Sequence, residues 1–116
     1  MRLLMHVLRE NKELKINNRV LTFKQISSKL TEEFTEVIEA IAKYNTERNF
    51  KNLKEIIRET FDLIQMCILI LWRCDIIARG SEVPNLIQEI NLEHKDKLIG
   101  KRGWIPETGI EIDVKE

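Results

Sequence analysis

Four glycines and two prolines in 116 residues leave this chain few places to stop a helix. Between those breaks, apolar residues recur every three or four positions, which is the period of one helix face. Two segments show this most strongly. Between them, Tyr44 to Asn52 carries Asn45, Thr46, Asn49 and Asn52, side chains that hydrogen-bond nearby backbone and so favour turns and caps. Two long helices folding back at that point as an αα-hairpin would bring residues equidistant from the turn level with each other.

Boundary signals sharpen the pattern. Thr22 with Gln25 three residues on has the form of a capping box, opening a helix that runs to about Thr46. Asn49 or Asn52 caps the next, which continues to about Ala78, with Gly80 as its stop. Ser81 or Pro84 starts a last helix ending near Gly100 or Gly103. Arg2 to Glu10 reads as a short helix or arm, Asn11 to Arg19 as a polar connection, and the alternating Ile110 to Val114 as a short strand. The fold expected is all-α: a single domain with its core at about residues 22–104, a bundle of about four helices built on a long antiparallel hairpin and completed by oligomerisation.

Charge and cysteine usage narrow the function. Nineteen basic and nineteen acidic residues cancel, which argues against a nucleic-acid polymer as partner, since that binding needs a positive field to displace phosphate counterions. Cys67 and Cys74 lie seven apart on nearly one helix face, about 10 Å apart along its axis, so they cannot bridge within the helix. They read as buried free thiols of a reducing compartment. The longest apolar run, Leu63 to Trp72, is interrupted by Gln65 and is about half of what spans a bilayer. No stretch has the form of a secretory signal. A cytoplasmic protein with no membrane partner is expected.

Two acidic motifs stand out against that background, Glu33-Phe34-Thr35-Glu36 and Glu59-Thr60-Phe61-Asp62. Residues three apart on a helix are surface neighbours whose side chains can converge on one ion. The four positions are centred between residues 47 and 48, inside the Asn-rich turn, so a hairpin would set both pairs at one height. On the first long helix Phe23, Ile26, Leu30, Phe34, Val37, Ile41 and Tyr44 form an apolar stripe at ~100° per residue. Glu33 falls inside that stripe and Glu36 on its border, whereas Glu32 and Glu39 point away toward solvent. A carboxylate in an apolar stripe is costly unless a cation or hydrogen bonds compensate it. The second helix has one stripe through Leu53, Ile57, Ile64, Ile68 and Leu71. Its other side bears Glu55, Glu59 and Asp62 and then turns apolar at Met66, Leu69 and Ile70, as a pocket wall does.

Carboxylate oxygens suit Mg²⁺ or Mn²⁺, and Mg²⁺ commonly leaves positions for water and substrate phosphates. A di-iron bundle is the competing metal reading, but it calls for Glu-x-x-His motifs. The only histidines are His6 and His94, and position 91 is Asn. A set of solvated acids favoured by the helix dipole is the reading without a ligand.

The run Leu30 to Ile41, which includes Glu32, Glu33 and Glu36, followed by Glu59-Thr60-Phe61-Asp62-Leu63, resembles the MazG-type branch of the all-α nucleoside triphosphate pyrophosphohydrolases, a superfamily that includes dimeric dUTPases. That superfamily carries ExxE, a variable spacer, then ExxD; here 22 residues separate Glu36 from Glu59. The segment His94 to Trp104 is similar to the ends of small MazG-like proteins. The resemblance implies Mg²⁺-dependent hydrolysis of a (deoxy)nucleoside triphosphate to the monophosphate and pyrophosphate, with Glu33, Glu36, Glu59 and Asp62 as the catalytic, metal-holding residues and Glu32 in support. Lys29, Lys95, Lys97, Lys101 and Arg102 are the cations able to meet the triphosphate. Trp104 and Trp72 could stack on a base or serve in a core or interface.

Two other readings stand beside this one. One is a non-catalytic helical dimerisation or regulatory module whose acids pair with Lys and Arg across an interface. The other is a hydrolase of a different pyrophosphate compound, such as a phosphoribosyl nucleotide. A homodimer or homotetramer is expected, because the apolar surface of Leu63 to Trp72 exceeds what one hairpin covers and because the related proteins assemble so.

Overall fold

The structure, a computed structural model, describes residues 1–115. It is mostly helical, with three α-helices: α1 (Phe23–Thr46), α2 (Phe50–Gly80) and α3 (Leu86–Lys95). A π-helical segment, Asp96–Lys101, continues α3. Two short strands, β1 (Glu10–Asn11) and β2 (Ile16–Asn17), pair antiparallel ahead of α1 with Glu10 opposite Asn17. The chain divides into two compact units, Met1–Ile77 and Ala78–Glu116, each described here by itself.

In the first unit the capping box opens α1 where the sequence places it. The Gln25 amide donates to Thr22 Oγ1 at 3.1 Å, and the Thr22 amide donates back to Gln25 Oε1 at 2.8 Å. The turn after Thr46 is built by asparagines. Asn49 Oδ1 accepts the Asn52 amide at 2.8 Å and thereby caps α2. Asn52 Nδ2 reaches back to the Glu47 carbonyl, also at 2.8 Å, from a side chain in a residue only 3% exposed. Asn52 is therefore a clamp inside the turn rather than a cap.

Side chains of α1 and α2 meet in antiparallel order. Ile26 packs with Met66 and Leu69, flanked by Leu21, Leu30, Ile70 and Trp72. Further toward the turn Glu33 meets Glu59 and Asp62. Arg73, on α2, donates to the carbonyls of Asn18 and Leu21 and stands 5.5 Å over the Phe23 ring, fixing the entry of α1.

Several expectations need correction. Of the two readings of Arg2 to Glu10, the helix falls and the arm stands; its backbone oxygens are used elsewhere, that of His6 by Gln65 Nε2 at 2.6 Å and that of Leu8 by Asn18 Nδ2 at 2.9 Å. The polar connection after them holds the β1–β2 ribbon, reversed where Asn11 Oδ1 accepts the Leu14 amide and Lys15 takes a left-handed φ of 56°. The apolar stripes are wider than the contact they make. Ile26, Val37 and Ala40 are buried, but Phe23, Phe34 and Ile41 on α1 and Ile57, Ile64 and Leu71 on α2 remain exposed. Cys67 is exposed and Cys74 half-buried, and both are free thiols.

In the second unit α2 ends at Gly80, where the stop was expected, and the left-handed conformation in the reversal that follows is taken by Glu82, with φ 63°. The π-helical end of α3 is closed by Gly103, whose φ of 70° is a left-handed conformation that glycine adopts freely. The Arg102 amide donates to the Lys97 carbonyl and the Trp104 amide to that of Leu98, both at 3.0 Å. Ile110 to Val114 are exposed and form no strand. Among the described residues no helix is long and apolar enough to cross a membrane.

Candidate metal centre

The acids chosen by spacing converge. Glu33, Glu59 and Asp62 each present one carboxylate oxygen within 4.8 Å of the other two. Glu33 comes from the middle of α1, in the row Ile26, Leu30, Val37 and Ala40 that faces α2. Glu59 and Asp62 are successive members of one α2 face, which continues as Met66 and Leu69 in the core. Local helix geometry supplies each pair, and the antiparallel packing supplies the meeting. Glu36 stands beside the trio, near enough to raise the carboxyls of both Glu33 and Glu59.

Partial burial makes this concentration of negative charge costly. The Glu33 side chain is only 12% exposed. Desolvation pushes its carboxyl above the ordinary carboxylate range, the Glu36 charge and hydrogen bond and the Asp62 charge add to that, and Lys29 pulls the other way. Glu59 is pushed up to about 7, chiefly by its hydrogen bond with Glu36, then by burial and by a hydrogen bond with Glu55. Glu33 Oε2 and Glu59 Oε2 are both shut off from solvent and accept no hydrogen bond. Buried acceptors of this kind ordinarily find a partner. A divalent cation is a partner that suits an all-oxygen donor set and offsets the mutual repulsion.

A cleft of about 190 Å³ opens next to the trio, on the side toward the interhelical turn, lined by Glu36, Glu39, Ala40, Lys43, Glu55 and Glu59. Glu36 and Glu59 belong to both cleft and cluster. Sequence reasoning set Glu39 toward solvent, did not single out Lys43, and placed Glu55 beside Glu59 and Asp62 without assigning it to the site. The available signal was spacing: Glu39 lies three after Glu36, Lys43 four after Glu39, and Glu55 four before Glu59.

The remaining candidates divide between the units. Lys29 Nζ lies 3.8 Å from Glu33 and 3.7 Å from Glu32, so Lys29 borders the cluster and Glu32 pairs with it from the exposed side. Trp72 packs against the Ile26–Met66–Leu69 core, which favours the structural role for that ring. Lys97, Lys101, Arg102 and Trp104 are exposed residues of the second unit, gathered on and after the π-helical segment with Lys95. Comparisons with protein-family models, with curated proteins and with solved structures find no match to this chain.

Proposed function

We propose that the chain is a Mg²⁺-dependent nucleoside triphosphate pyrophosphohydrolase, with Mn²⁺ able to substitute, acting through Glu33, Glu36, Glu59 and Asp62. The observation that carries this reading is the meeting of Glu33, Glu59 and Asp62 across two helices, with one oxygen each of Glu33 and Glu59 buried and unpartnered. Mg²⁺ held there would neutralise phosphate oxygens and lower the pKa of a water. The four carboxylates fix the site, and one within reach of the attacking water accepts its proton. Water adds at the α-phosphorus, the bond from that phosphorus to the bridging oxygen breaks, and monophosphate and pyrophosphate leave. Lys29 stands at the border of the cluster, able to exchange its exposed pairing with Glu32 for a phosphate oxygen.

The same reading includes a bundle completed by a second copy of the chain. Its support is the apolar surface one copy leaves uncovered on α1, with Phe34 55%, Ile38 51% and Ile41 42% exposed. Large exposed apolar groups in one region mark an interaction surface. That surface is equally what a non-catalytic dimerisation module would show, and metal binding separates the two.

Product analysis over a panel of nucleotides and phosphoribosyl nucleotides with Mg²⁺ is the direct test. Monophosphate and pyrophosphate are expected from a nucleoside triphosphate, with loss of turnover in Glu36→Gln and Glu59→Gln. Calorimetric absence of Mg²⁺ binding, alone and with a nonhydrolysable triphosphate, would sink the proposal.

A further inference from the structure

The side of α2 turned away from Glu59 and Asp62 borders a groove of about 210 Å³ between that helix and the N-terminal arm. Leu3, Ile56, Ile57, Thr60, Phe61 and Ile64 line it. The one polar side chain among them is already used, because the Thr60 hydroxyl donates to the Ile56 carbonyl at 2.6 Å. Nothing in the lining asks for a polar ligand. Ile57 remains 48% and Ile64 38% exposed, so the groove is an apolar surface of the kind that marks a contact with another chain segment.

The chain carries a matching segment in its tail. Ile110, Ile112 and Val114 alternate with Glu111 and Asp113 and are 86%, 83% and 65% exposed, so one copy leaves both the segment and the groove uncovered. In an extended backbone the three apolar side chains share one face, spread over about 13 Å. Ile57 and Ile64 stand about 10 Å apart along α2, a comparable length. Charge complements this fit. Residues 1–9 hold Arg2 and Arg9 and no acid, and Lys54 and Arg58 stand three residues before Ile57 and Phe61, as surface neighbours of the lining. Residues 105–115 hold Glu107, Glu111 and Asp113 against Lys115 alone. With the apolar face of the segment seated, Glu111 and Asp113 stand at the mouth of the groove, where long basic side chains on its rim can reach them.

We propose that the groove receives residues 110–114 of a second copy of this chain, with Ile110, Ile112 and Val114 entering it and Glu111 and Asp113 meeting Arg2, Lys54 and Arg58. Two copies exchange tails reciprocally, as a two-fold pair does. Three apolar side chains are too few to hold two chains alone, since stable interfaces bury about 1,000 Å² or more. The tail is a latch on the pairing through Phe34, Ile38 and Ile41. It rests on that second-copy part of the proposed reading and on nothing in the metal centre.

Cross-linking and charge exchange in the full chain test this together. Ile112→Cys is combined with Ile57→Cys or with Ile64→Cys, in a background of Cys67→Ser and Cys74→Ser, and each protein is oxidised and run on a non-reducing gel. A disulfide-linked dimer is expected, because the bond forms only between cysteines in contact; the proteins with a single introduced cysteine should stay unlinked. Dimer dissociation is then followed by light scattering over a dilution series. Glu111→Lys with Asp113→Lys should weaken the dimer roughly tenfold, and Arg2→Glu with Lys54→Glu should do the same. All four substitutions in one chain should restore the wild-type dissociation constant, and circular dichroism should match wild type throughout. A bridge closed within one chain, or no bridge together with no rescue, would overturn the latch while leaving a wild-type dimer and the metal centre standing. A wild-type protein that scatters as a single chain at every concentration would overturn the second copy and the latch with it.

Discussion

Glu36 on α1 and Glu59 on α2 stand carboxyl against carboxyl, an arrangement favoured while one of the two carries a proton. It is the largest influence holding Glu59 near 7 against an ordinary value of 4.5. The folded protein therefore keeps a proton that the unfolded chain has already lost over that window. Stability linked to Glu59 is complete below about 4.5 and declines as pH rises through about 7. Without divalent cations the melting temperature should fall between about pH 5 and pH 8. Added Mg²⁺ should raise it more at the upper end, because a metal ligand must be deprotonated. Thermal melts with and without Mg²⁺ at both pH values check this; an equal Mg²⁺ increment at the two ends would contradict it.

Replacing Glu59 by Gln keeps the side-chain shape and removes its titration. Glu36, Glu33 and Asp62 then face an amide, so the metal-free variant should melt higher than wild type at pH 8 and lose most of the pH dependence. Mg²⁺ affinity should drop roughly tenfold or more, the scale at which disturbing a metal site is felt. Melting curves and a Mg²⁺ titration on the same preparation read both effects. A lower melting point together with unchanged Mg²⁺ affinity would show the acids to be a structural network instead.

Local signals in the sequence located the helices well. Thr22, Gln25, Thr46 and Asn49 do in the structure what their types and spacing indicate. That Glu33, Glu59 and Asp62 would come together was legible for the same reason, since phase and distance from the turn are both countable. Direction was harder. The inward row of α1 runs through Ile26, Leu30, Glu33, Val37 and Ala40, rotated by roughly 40° from the centre of the broad stripe that includes Phe34 and Ile41. That rotation carries Glu36, Glu39 and Lys43 toward the cleft, and a stripe with apolar residues on both flanks does not reveal it. The N-terminal arm was illegible for another reason. Its conformation depends on Gln65 meeting His6 across 59 residues of sequence.

Asn52 offers a test of the turn that sets both acid pairs level. It is 3% exposed and its amide nitrogen satisfies the Glu47 carbonyl. Asn52→Leu should cost about 1–3 kcal/mol, the penalty for leaving a buried polar group unpaired. Asn52→Asp should also destabilise, since it replaces the donor with a second acceptor facing that carbonyl. Urea unfolding of the two variants against wild type measures both. A loss below about 0.5 kcal/mol in each, the range of an ordinary surface change, would mean that the turn is held by Asn49 alone.

The uncovered apolar residues lead to the last expectation. Phe34, Ile38 and Ile41 occupy neighbouring turns along one side of α1, each more than 40% exposed. Residues three and four apart on a helix form a continuous surface. Covering them with a second copy removes apolar area from water at about 25 cal/mol per Å². Light scattering should give a mass of at least two chains of 13.8 kDa. Ile38→Lys places a charge in the middle of that surface and should shift the mass toward one chain while helical circular dichroism is retained. An Ile38→Lys protein with the wild-type mass would place the association elsewhere. A wild-type mass of one chain would remove the second copy from the proposed bundle, and would leave the carboxylate cluster untouched because Glu33, Glu59 and Asp62 all come from a single chain.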